Sequence, residues 1–319
     1  GRFEAGEMLM DNNMKVAVVM GGPSAEREVS LATGAAIVSA LREKGYDVET
    51  IDIVPGKITE QLNNCGTTVV FNAVHGLYGE DGCLQGLLEM IGMPYTGSGV
   101  LASAIAMDKV ATKRIFQATE IPTPRCLILS QDDRQNHKEI ILNSFSLPVV
   151  VKPASQGSSI GVVIVKQEKE LEEALKTAFS YGEEVLIEEF IIGKELTVAV
   201  MSYEGETKAF PVINIVPHSG TYDFKSKYTK GETEYLVPAP IGEAETQHAQ
   251  EVAVQAYKVL GCRGVARADL MLDNEGQVFV LELNTVPGMT ATSLVPKAAA
   301  AAGVSFPELC ERILLSAQK

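Results

Sequence analysis

The sequence predicts an α/β protein with a parallel sheet near its N-terminus. Apolar strand patterns alternate with amphipathic helix patterns from residue 14 to about residue 97, which is typical of βαβ units. Near the C-terminus two apolar runs flank a turn signal at 273–276, which predicts a β-hairpin. The length of 319 residues is enough for two or three compact units with large cores.

Composition and charge exclude several classes of partner. Hydrophobic residues make up 46% of the chain and charged residues 21%, as in soluble globular proteins. No apolar run is long enough to span a membrane, so we expect no membrane partner. The net charge of −14, from 27 basic and 41 acidic side chains, argues against nucleic acid as the partner. An anionic substrate must therefore be bound by local positive charge.

The cysteines and the first residues bear on location and boundaries. The five cysteines are scattered, with no C-x-x-C pair and no metal spacing, and no secretory pattern opens the chain. These features predict reduced thiols in the cytoplasm. Residues 1–13 lack periodicity, and we interpret them as a tag or disordered extension.

Three units are predicted after that extension. The first is a substrate-binding α/β domain at 14–97, which ends near a Thr-Gly-Ser-Gly run. The second, at 98–188, begins with helical patterns and continues through an apolar strand. The third, at 189–319, contains the hairpin and a loop at 218–240 without regular pattern, whose aromatic residues favour a lid over disorder.

The predicted carboxyl ends of the first and third strands carry candidate substrate residues. Open α/β sheets bind ligands at this edge. The loop after the first strand contains Gly21 and Gly22, and it also contains Glu26 and Glu28. These carboxylates disfavour a pyrophosphate and favour a substrate ammonium group, with a simple capping turn as the alternative. His75 ends the third strand pattern, either as a ligand contact or as a structural histidine.

A lysine and a run of small residues form a candidate phosphate site. Lys152 ends an apolar strand and precedes the small residues of 153–161. Backbone N–H groups and an ammonium are suited to phosphate, although a hairpin with a Gly/Ser connection fits the same residues. The run is neither a Walker A loop nor a dinucleotide fingerprint. Lys109, on a helix pattern, and Glu188 and Glu189, at a strand end, each have a solvated alternative.

The hairpin is predicted to present one charged face. If its turn is even-membered, Arg267 faces Glu282 and Asp269 faces Val280, so both strands direct polar residues to one side. That face holds Arg267, Asp269, Glu282 and Asn284, and the core face holds Ala266, Ala268, Leu270, Leu272, Phe279, Leu281 and Leu283. Two carboxylates and an amide oxygen suit Mg²⁺. An odd-membered turn would scatter this set, and a solvated surface hairpin is the alternative.

Taken together, these motifs resemble those of ATP-grasp enzymes, and among them the D-alanine–D-alanine ligases. The resemblance covers nearly everything from Met14 onward. It is carried by GGPSAEREVS at 21–30, HGLYGEDGCLQG at 75–86, PYTGSGVLASAIAMDK at 94–109, VKPASQGSSIGV at 151–162, EEVLIEEF at 183–190, YDFKSKY at 222–228, GVARADLML at 264–272 and LELNTVPGMTATSLVP at 281–296. It implies an ATP-grasp fold, with a Rossmann-like parallel α/β domain at 14–97 and ATP-grasp subdomains at 98–188 and 189–319.

The resemblance also implies an activity and its requirements. The reaction would join two D-alanine molecules through an acyl phosphate, with ATP, to supply dipeptide for bacterial peptidoglycan. Two Mg²⁺ ions, replaceable by Mn²⁺, would be needed, and the enzyme would be a cytoplasmic homodimer.

Roles for individual residues follow from the same resemblance. ATP would be bound by Lys109, Lys152, Gly157, Ser159, Glu188, Glu189, Ile191 and Glu195. The metal ligands would be Asp269, Glu282 and Asn284. The substrate carboxylates would contact His75, Ser293 and Leu294. Glu26 would bind the first ammonium in a network with Ser158 and Tyr228, while Arg267 and the N–H of Gly288 would stabilise the oxyanion.

This sequence departs little from the family pattern. Three other functions are kept as alternatives. Gln156 stands where many relatives have an acidic residue, and Glu189 where lysine is frequent. Ester-forming relatives carry Phe at the position of Tyr228, so this residue favours the dipeptide. The rivals are a ligase for another amino acid pair or a hydroxy acid, a nucleotide-binding regulatory protein, and a nicotinamide-dependent dehydrogenase, whose glycine fingerprint is missing.

Overall fold

The N-terminal sheet is parallel and has the strand order β2-β1-β3. A computed structural model describes residues 14–155, 157, 159–218 and 231–317, apart from the side chains of 133–135. The elements here are β1 Lys15–Gly21, α1 Arg27–Glu43, β2 Asp47–Ile53, α2 Ile58–Cys65, β3 Val69–Asn72 and α3 Cys83–Met90. The central strand β1 is buried from Val16 to Met20, because a parallel strand is covered on both faces. The α2 helix was not predicted.

The central part of the chain forms a four-stranded antiparallel sheet, β4-β7-β5-β6. Its elements are α4 Val100–Met107, α5 Lys109–Ala118, β4 Cys126–Ser130, α6 His137–Ser144, β5 Val149–Pro153, β6 Val163–Val165, α7 Leu171–Phe179 and β7 Glu184–Glu189. Strands β5 and β6 pair as a hairpin across the small-residue run. The hairpin and phosphate-loop interpretations of that run are therefore compatible.

The C-terminal part forms a six-stranded sheet with the order β11-β10-β8-β12-β13 and β9 on β8. Its elements are β8 Gly193–Tyr203, β9 Glu206–Ala209, β10 Ile213–Pro217, β11 Thr233–Leu236, α8 Glu243–Val259, β12 Val265–Asp273, β13 Val278–Asn284, α9 Leu294–Ala301 and α10 Phe306–Leu315. The prediction of a patternless loop at 218–240 was wrong in part, because β11 lies inside it and pairs with β10. Residues 219–230, including Tyr228, lie outside the described part, and the three-unit boundaries stay predictions.

The register of the β12–β13 hairpin differs from the predicted one. The turn at 274–276 is odd-membered, because the N–H of Asp273 donates to the carbonyl of Gln277. Val280 consequently faces Leu270, and a register shift follows before Asp269. The predicted pairings of Arg267 with Glu282 and of Asp269 with Val280 were wrong: Asp269 faces Glu282 and Arg267 faces Asn284.

The register shift also changes which residues reach the core. Val278 and Val280 are buried, whereas Phe279 and Leu281 are only half-buried. The prediction that Phe279 and Leu281 belong to the core face was therefore wrong. Leu281 is the extra residue of a β-bulge, which leaves it and Glu282 on the same side of the sheet. The bulge returns Glu282 and Asn284 to the face of Asp269.

Two large cores set the positions of the sheets. One core lies between α8 and the six-stranded sheet. The other joins the N-terminal parallel sheet to β8, β10, α9 and α10 in a single cluster of buried apolar side chains. Burial of apolar surface therefore fixes the carboxyl edge of the N-terminal sheet against the segment between β13 and α9. No helix in the described ranges combines the length and apolarity needed to cross a membrane.

Gly193 offers a test of the packing that aligns β8 with β12. A Cβ at this position would lie 1.9 Å from the carbonyl oxygen of Leu272, and backbone at this contact has little freedom to move. We expect Gly193→Ala to lower the free energy of unfolding by about 1–3 kcal/mol, as overpacking does. Chemical denaturation measures this value. Gly182→Ala is the control, because its Cβ meets nothing within 4 Å; equal losses in the two variants would contradict the contact.

Candidate active site

A cavity of about 800 Å³ is lined by residues of both antiparallel sheets. Its wall includes apolar side chains such as Val150, Ile164 and Met271, and the bulged Leu281. Most of the residues predicted to bind ATP and metal lie on it: Lys109, Lys152, Ser159, Glu188, Glu189, Ile191, Glu195, Asp269 and Glu282. A largely apolar cleft with a few convergent charged groups has the character of a ligand site.

Glu188 is buried between two lysines at the inner end of this cavity. Its side chain is 1% exposed, with Lys113 Nζ 2.7 Å from its Oε1 and Lys152 Nζ in contact with its Oε2. Burial opposes its ionisation, but the two ammonium groups outweigh burial and hold the pKa of Glu188 below its ordinary value. The carboxylate is therefore charged, and it orients the lysine predicted to grip phosphate.

Lys113 was missed at the sequence level, although a signal for it exists. It lies on α5 in line with the buried Val110 and Phe116, a spacing of three residues that marks the core stripe of a helix. A lysine on such a stripe needs a buried partner, since an unpaired ammonium in a core is costly. The spacing predicts the burial of this lysine but not its partner.

Lys109 begins α5 because Asp108, in an extended conformation, separates this helix from α4. The Asp108 carboxylate accepts a hydrogen bond from the N–H of Ala111 at 2.9 Å, which caps the new helix. The N–H of Lys109 donates to the carbonyl of Ala154, and its Nζ lies 3.6 Å from Oε2 of Glu282. Lys109 thus connects the loop after β5 to the charged face of the hairpin.

Arg267 and Asp269 form a two-point ion pair on β12. Nε and Nη2 of Arg267 donate to the two carboxylate oxygens of Asp269, each at 2.8 Å. The hydroxyl of Thr197, on β8, lies 3.0 Å from Oδ1 of the same carboxylate. Asp269 is 6% exposed, so the planar guanidinium is held in one orientation at the edge of the cavity.

The residues predicted as metal ligands are suited to a hard cation. Asp269 and Glu282 are direct cross-strand partners, and both line the cavity. Asn284 lies further along β13, where its side-chain oxygen accepts from the N–H of Val286 at 3.0 Å. The described residues hold no cluster of three or more His, Cys, Asp or Glu side chains arranged for a metal. Two carboxylates with substrate phosphates are nonetheless a usual Mg²⁺ environment.

A second group of predicted residues lies at the edge of the N-terminal sheet. His75 is buried after β3, with its Nε2 3.0 Å from the hydroxyl of Thr33 on α1. The hydroxyl of Ser24 donates to the carbonyl of His75 at 2.8 Å. Glu26, also buried, lies beside Gly76, where an added Cβ would be 3.4 Å from its Oε2. The loops after β1 and β3 therefore form one polar pocket.

Two buried titratable groups define the charge of this pocket. Burial lowers the pKa of His75, which favours the neutral ring. Glu80, which was not predicted, is also buried, and it accepts the N–H of Gly76 at 2.6 Å. Burial, together with the nearby charge of Glu26, raises the pKa of Glu80 to about 8. Glu80 is thus mostly protonated near neutral pH.

The segment before α9 closes the pocket. Leu294 is the first residue of this helix, and its N–H is among those without a partner inside the helix. The Ser293 hydroxyl accepts from the N–H of Thr290 at 2.9 Å, and a Cβ at Gly288 would lie 3.0 Å from the same hydroxyl. Backbone N–H groups at a helix start favour a carboxylate or phosphate.

The two groups of residues meet at Gly157 and Glu26. A Cβ at Gly157 would lie 3.1 Å from Oε2 of Glu26, so the loop after β5 touches the ammonium-binding candidate. Met289 N–H lies 3.4 Å from the Thr33 hydroxyl that also contacts His75. Ser158 and Tyr228, the remaining predicted site residues, lie outside the described residues.

Comparisons with known proteins match nearly the whole chain to one family. Family models described as D-ala D-ala ligase N-terminus and C-terminus match residues 15–64 with 54–98 and residues 115–315. A D-alanine–D-alanine ligase of Syntrophotalea carbinolica is 49% identical over 303 residues, covering 95% of this chain and 96% of the relative. The ligase of the same name from Pelotomaculum thermopropionicum is 46% identical over 306 residues, covering 94% and 96%.

Solved ligase structures also superimpose on nearly the whole chain. The D-alanine–D-alanine ligase of Bacillus anthracis complexed with ATP superimposes with a TM-score of 0.81 at 35% identity, covering 95% of this chain and 97% of that one. The VanG D-Ala:D-Ser ligase of Enterococcus faecalis gives a TM-score of 0.83 at 30% identity, covering 95% and 98%.

Fold and cleft together define an ATP-grasp enzyme: two antiparallel sheets enclose a cavity of paired cations and carboxylates, next to a parallel α/β domain. With both family models matched across most of its length, the chain belongs to the D-alanine–D-alanine ligase family. The predicted fold, family and enzyme class are confirmed.

The protonation of Glu80 is expected to make stability depend on pH. Glu80 titrates at about 8 in the folded protein, against an ordinary value of 4.5 in the unfolded chain. Its contribution to stability is therefore complete below the lower value and is lost as pH rises through the higher one. Glu80→Gln keeps an acceptor for Gly76 but removes this titration. We expect its free energy of unfolding to fall less than the wild-type value between about pH 5 and about pH 9.

Urea unfolding at several pH values measures this difference. Glu60→Gln, at an exposed position of α2, is the matched control and should follow the wild type. Identical pH profiles for Glu80→Gln and the wild type would contradict a buried, protonated Glu80.

Proposed function

We propose that the cleft joins two D-alanine molecules into D-alanyl-D-alanine at the expense of ATP, through an acyl phosphate. The observation that carries the proposal is the convergence of three cation–carboxylate pairs on one cavity: Lys152 with Glu188, Lys109 with Glu282, and Arg267 with Asp269. The lysines and the arginine of this cleft can neutralise the negative charges of a polyphosphate and of a reacting carboxyl group. The Glu26 pocket beside it offers a site for an ammonium group.

The first step activates the carboxyl group of one D-alanine. A carboxylate is a poor electrophile, so its oxygen attacks the terminal phosphorus of ATP, and ADP leaves. Lys109 and Lys152 bind the phosphates and neutralise the charge that spreads over them during transfer. Glu26 binds the substrate ammonium, and neutral His75 lies near its carboxylate. This arrangement holds the attacking oxygen close to the phosphate.

The second step forms the peptide bond. The free amine of the second D-alanine attacks the acyl carbon, giving a tetrahedral oxyanion, and inorganic phosphate leaves as the carbonyl reforms. Arg267 and the N–H of Gly288 stabilise the oxyanion, because donors fixed in place need no reorganisation as charge develops. Ser293 and the N–H of Leu294 receive the second carboxylate at the start of α9.

Magnesium ions are assigned to Asp269, Glu282 and Asn284, on the chemistry of these oxygen donors. When bound there with ATP, they would screen the phosphate charges and polarise the transferred group. The ion pairs of Asp269 with Arg267 and of Glu282 with Lys109 hold both carboxylates in place at the cavity. The loop at 218–240 stays a predicted lid, which would exclude the water that hydrolyses an acyl phosphate.

Product analysis with a panel of acceptors tests the reaction. We expect phosphate release from ATP and Mg²⁺ with D-alanine alone, and a dipeptide mass in the product. L-alanine should give no release, and D-alanine with D-lactate should still give the dipeptide at neutral pH, as Tyr228 predicts. An ester product would move the specificity to a hydroxy acid. Folded, ATP-binding protein without D-alanine-dependent release would favour the regulatory rival.

Arg267 is expected to act on catalysis rather than on folding. Arg267→Ala removes the oxyanion donor, and we expect kcat to fall by about 10²-fold or more. Glu282→Ala should likewise abolish most turnover, because Lys109 would lose its ion-pair partner and the metal would lose a ligand. Steady-state phosphate release measures both variants, with thermal unfolding as the check on folding.

Arg312→Ala serves as the control for loss of an arginine. Its guanidinium pairs with Glu308 on the surface of α10, away from the cavity residues. We expect wild-type kcat in this variant. Retained turnover in Arg267→Ala would contradict the role assigned to this arginine.

Partners and location are part of the same proposal. The substrate is a small molecule, and the net charge of −14 disfavours nucleic acid. A homodimer in the bacterial cytoplasm is what the family resemblance implies. Sedimentation of the purified protein over a range of concentrations tests the dimer, and a monomer at all concentrations would remove it.

A further inference from the structure

The environment of Glu188 contains a lysine that the ligation chemistry does not use. Lys113 is 2% exposed, and it is not among the residues that line the cavity. Lys152 is 12% exposed and lines the cavity. Both ammonium groups contact the carboxylate of Glu188, one at each oxygen. Only one of these two lysines therefore has access to a ligand.

Other contacts hold Lys113 in place. Its Nζ donates to the carbonyl of Pro124 at 3.0 Å and also contacts the hydroxyl of Thr123. That hydroxyl donates to the carbonyl of Val280, on β13, at 2.8 Å. Lys113 is thus fixed to the segment before β4 and, through Thr123, to the hairpin. It is a charged group with neither the exposure nor the freedom to reach a nucleotide.

Because Lys152 is paired with Glu188, its binding to a nucleotide phosphate would exchange one ionic partner for another. Two ammonium groups share the single carboxylate of Glu188, so one of them could pair with a phosphate while the other stays. When Lys152 moves from Glu188 to a phosphate, Glu188 stays behind at 1% exposure. A buried carboxylate without a partner is strongly disfavoured, so the exchange needs a second cation that remains.

We propose that Lys113 is a positioning residue that keeps Glu188 charged and in place while Lys152 moves to the nucleotide phosphates. The inference rests on the proposed function, in which Lys152 binds the phosphates of ATP. It assigns the two lysines different roles: Lys152 changes its partner with each nucleotide, and Lys113 keeps its partner throughout. Loss of Lys113 should therefore weaken the binding of ligands that carry phosphate and leave the binding of other ligands nearly unchanged.

The comparison of ADP with adenosine tests this division of roles. Adenosine has no phosphate, so Lys152 stays on Glu188 and the loss of Lys113 leaves that carboxylate paired. ADP withdraws Lys152. We expect Lys113→Met to raise the Kd of Mg²⁺-ADP by at least about tenfold, because a buried charge that loses its partner is strongly disfavoured. The Kd of adenosine should change less than about threefold. Isothermal titration calorimetry measures both.

Three further variants separate positioning from damage to the fold. Lys113→Arg keeps the charge, so we expect recovery of at least part of the ADP affinity. Lys113→Met with Glu188→Gln removes the whole buried pair, and its ratio of ADP to adenosine affinity should match that of Glu188→Gln alone. This pair of variants remains informative if Lys113→Met alone fails to fold. Lys44→Met, which breaks a surface pair with Glu311, is the control and should leave both constants unchanged.

The outcomes are distinct. Equal losses for ADP and adenosine in Lys113→Met would overturn the inference, since they would indicate general damage to the site. A selective loss of ADP affinity from Lys113→Met in the Glu188→Gln background would also overturn it, because Lys113 would then act on phosphate without Glu188. Wild-type protein that binds neither ligand would instead refute the proposed function, before any variant is made.

Discussion

A β-bulge at Leu281 allows one hairpin to serve both a hydrophobic core and a charged cavity. In an unbroken strand, alternate residues share a face, so Val278, Val280, Glu282 and Asn284 would all point the same way. Glu282 would then enter the core beneath α8, or the two valines would enter the cavity. The extra residue separates the two sets. The pairing of Glu282 with Asp269 and the contact of Glu282 with Lys109 both depend on this one irregularity.

Three anionic side chains at the cavity are paired with cations. Glu188 has Lys113 and Lys152, Glu282 has Lys109, and Asp269 has Arg267. Positive groups are thereby held beside the cavity, in a chain whose overall charge is −14. Ligand binding then exchanges one ionic partner for another, which costs less than transferring a free ammonium from water into a buried site.

The sequence predicted much of the fold and the site, and its failures have physical causes. The parallel sheet was predictable because burial on both faces gives β1 a continuous apolar run. Motif order identified the cavity residues, which local spacing alone left ambiguous. Turn parity was not predictable, since the turn signal at 273–276 is compatible with hairpin loops of either even or odd length. Nor could local pattern show that residues 233–236 pair with β10, because that partner is distant in the chain.

The meeting of Gly157 with Glu26 explains why small residues follow β5. In the proposed reaction, the substrate ammonium lies at Glu26 and the substrate carboxylate reaches a phosphate beside Lys152. The two binding groups belong to different sheets, so the loops that carry them must approach closely. A Cβ at Gly157 would already lie 3.1 Å from the Glu26 carboxylate. A larger side chain would separate the ammonium site from the phosphate site, and the reacting atoms would lose the proximity on which the first step depends.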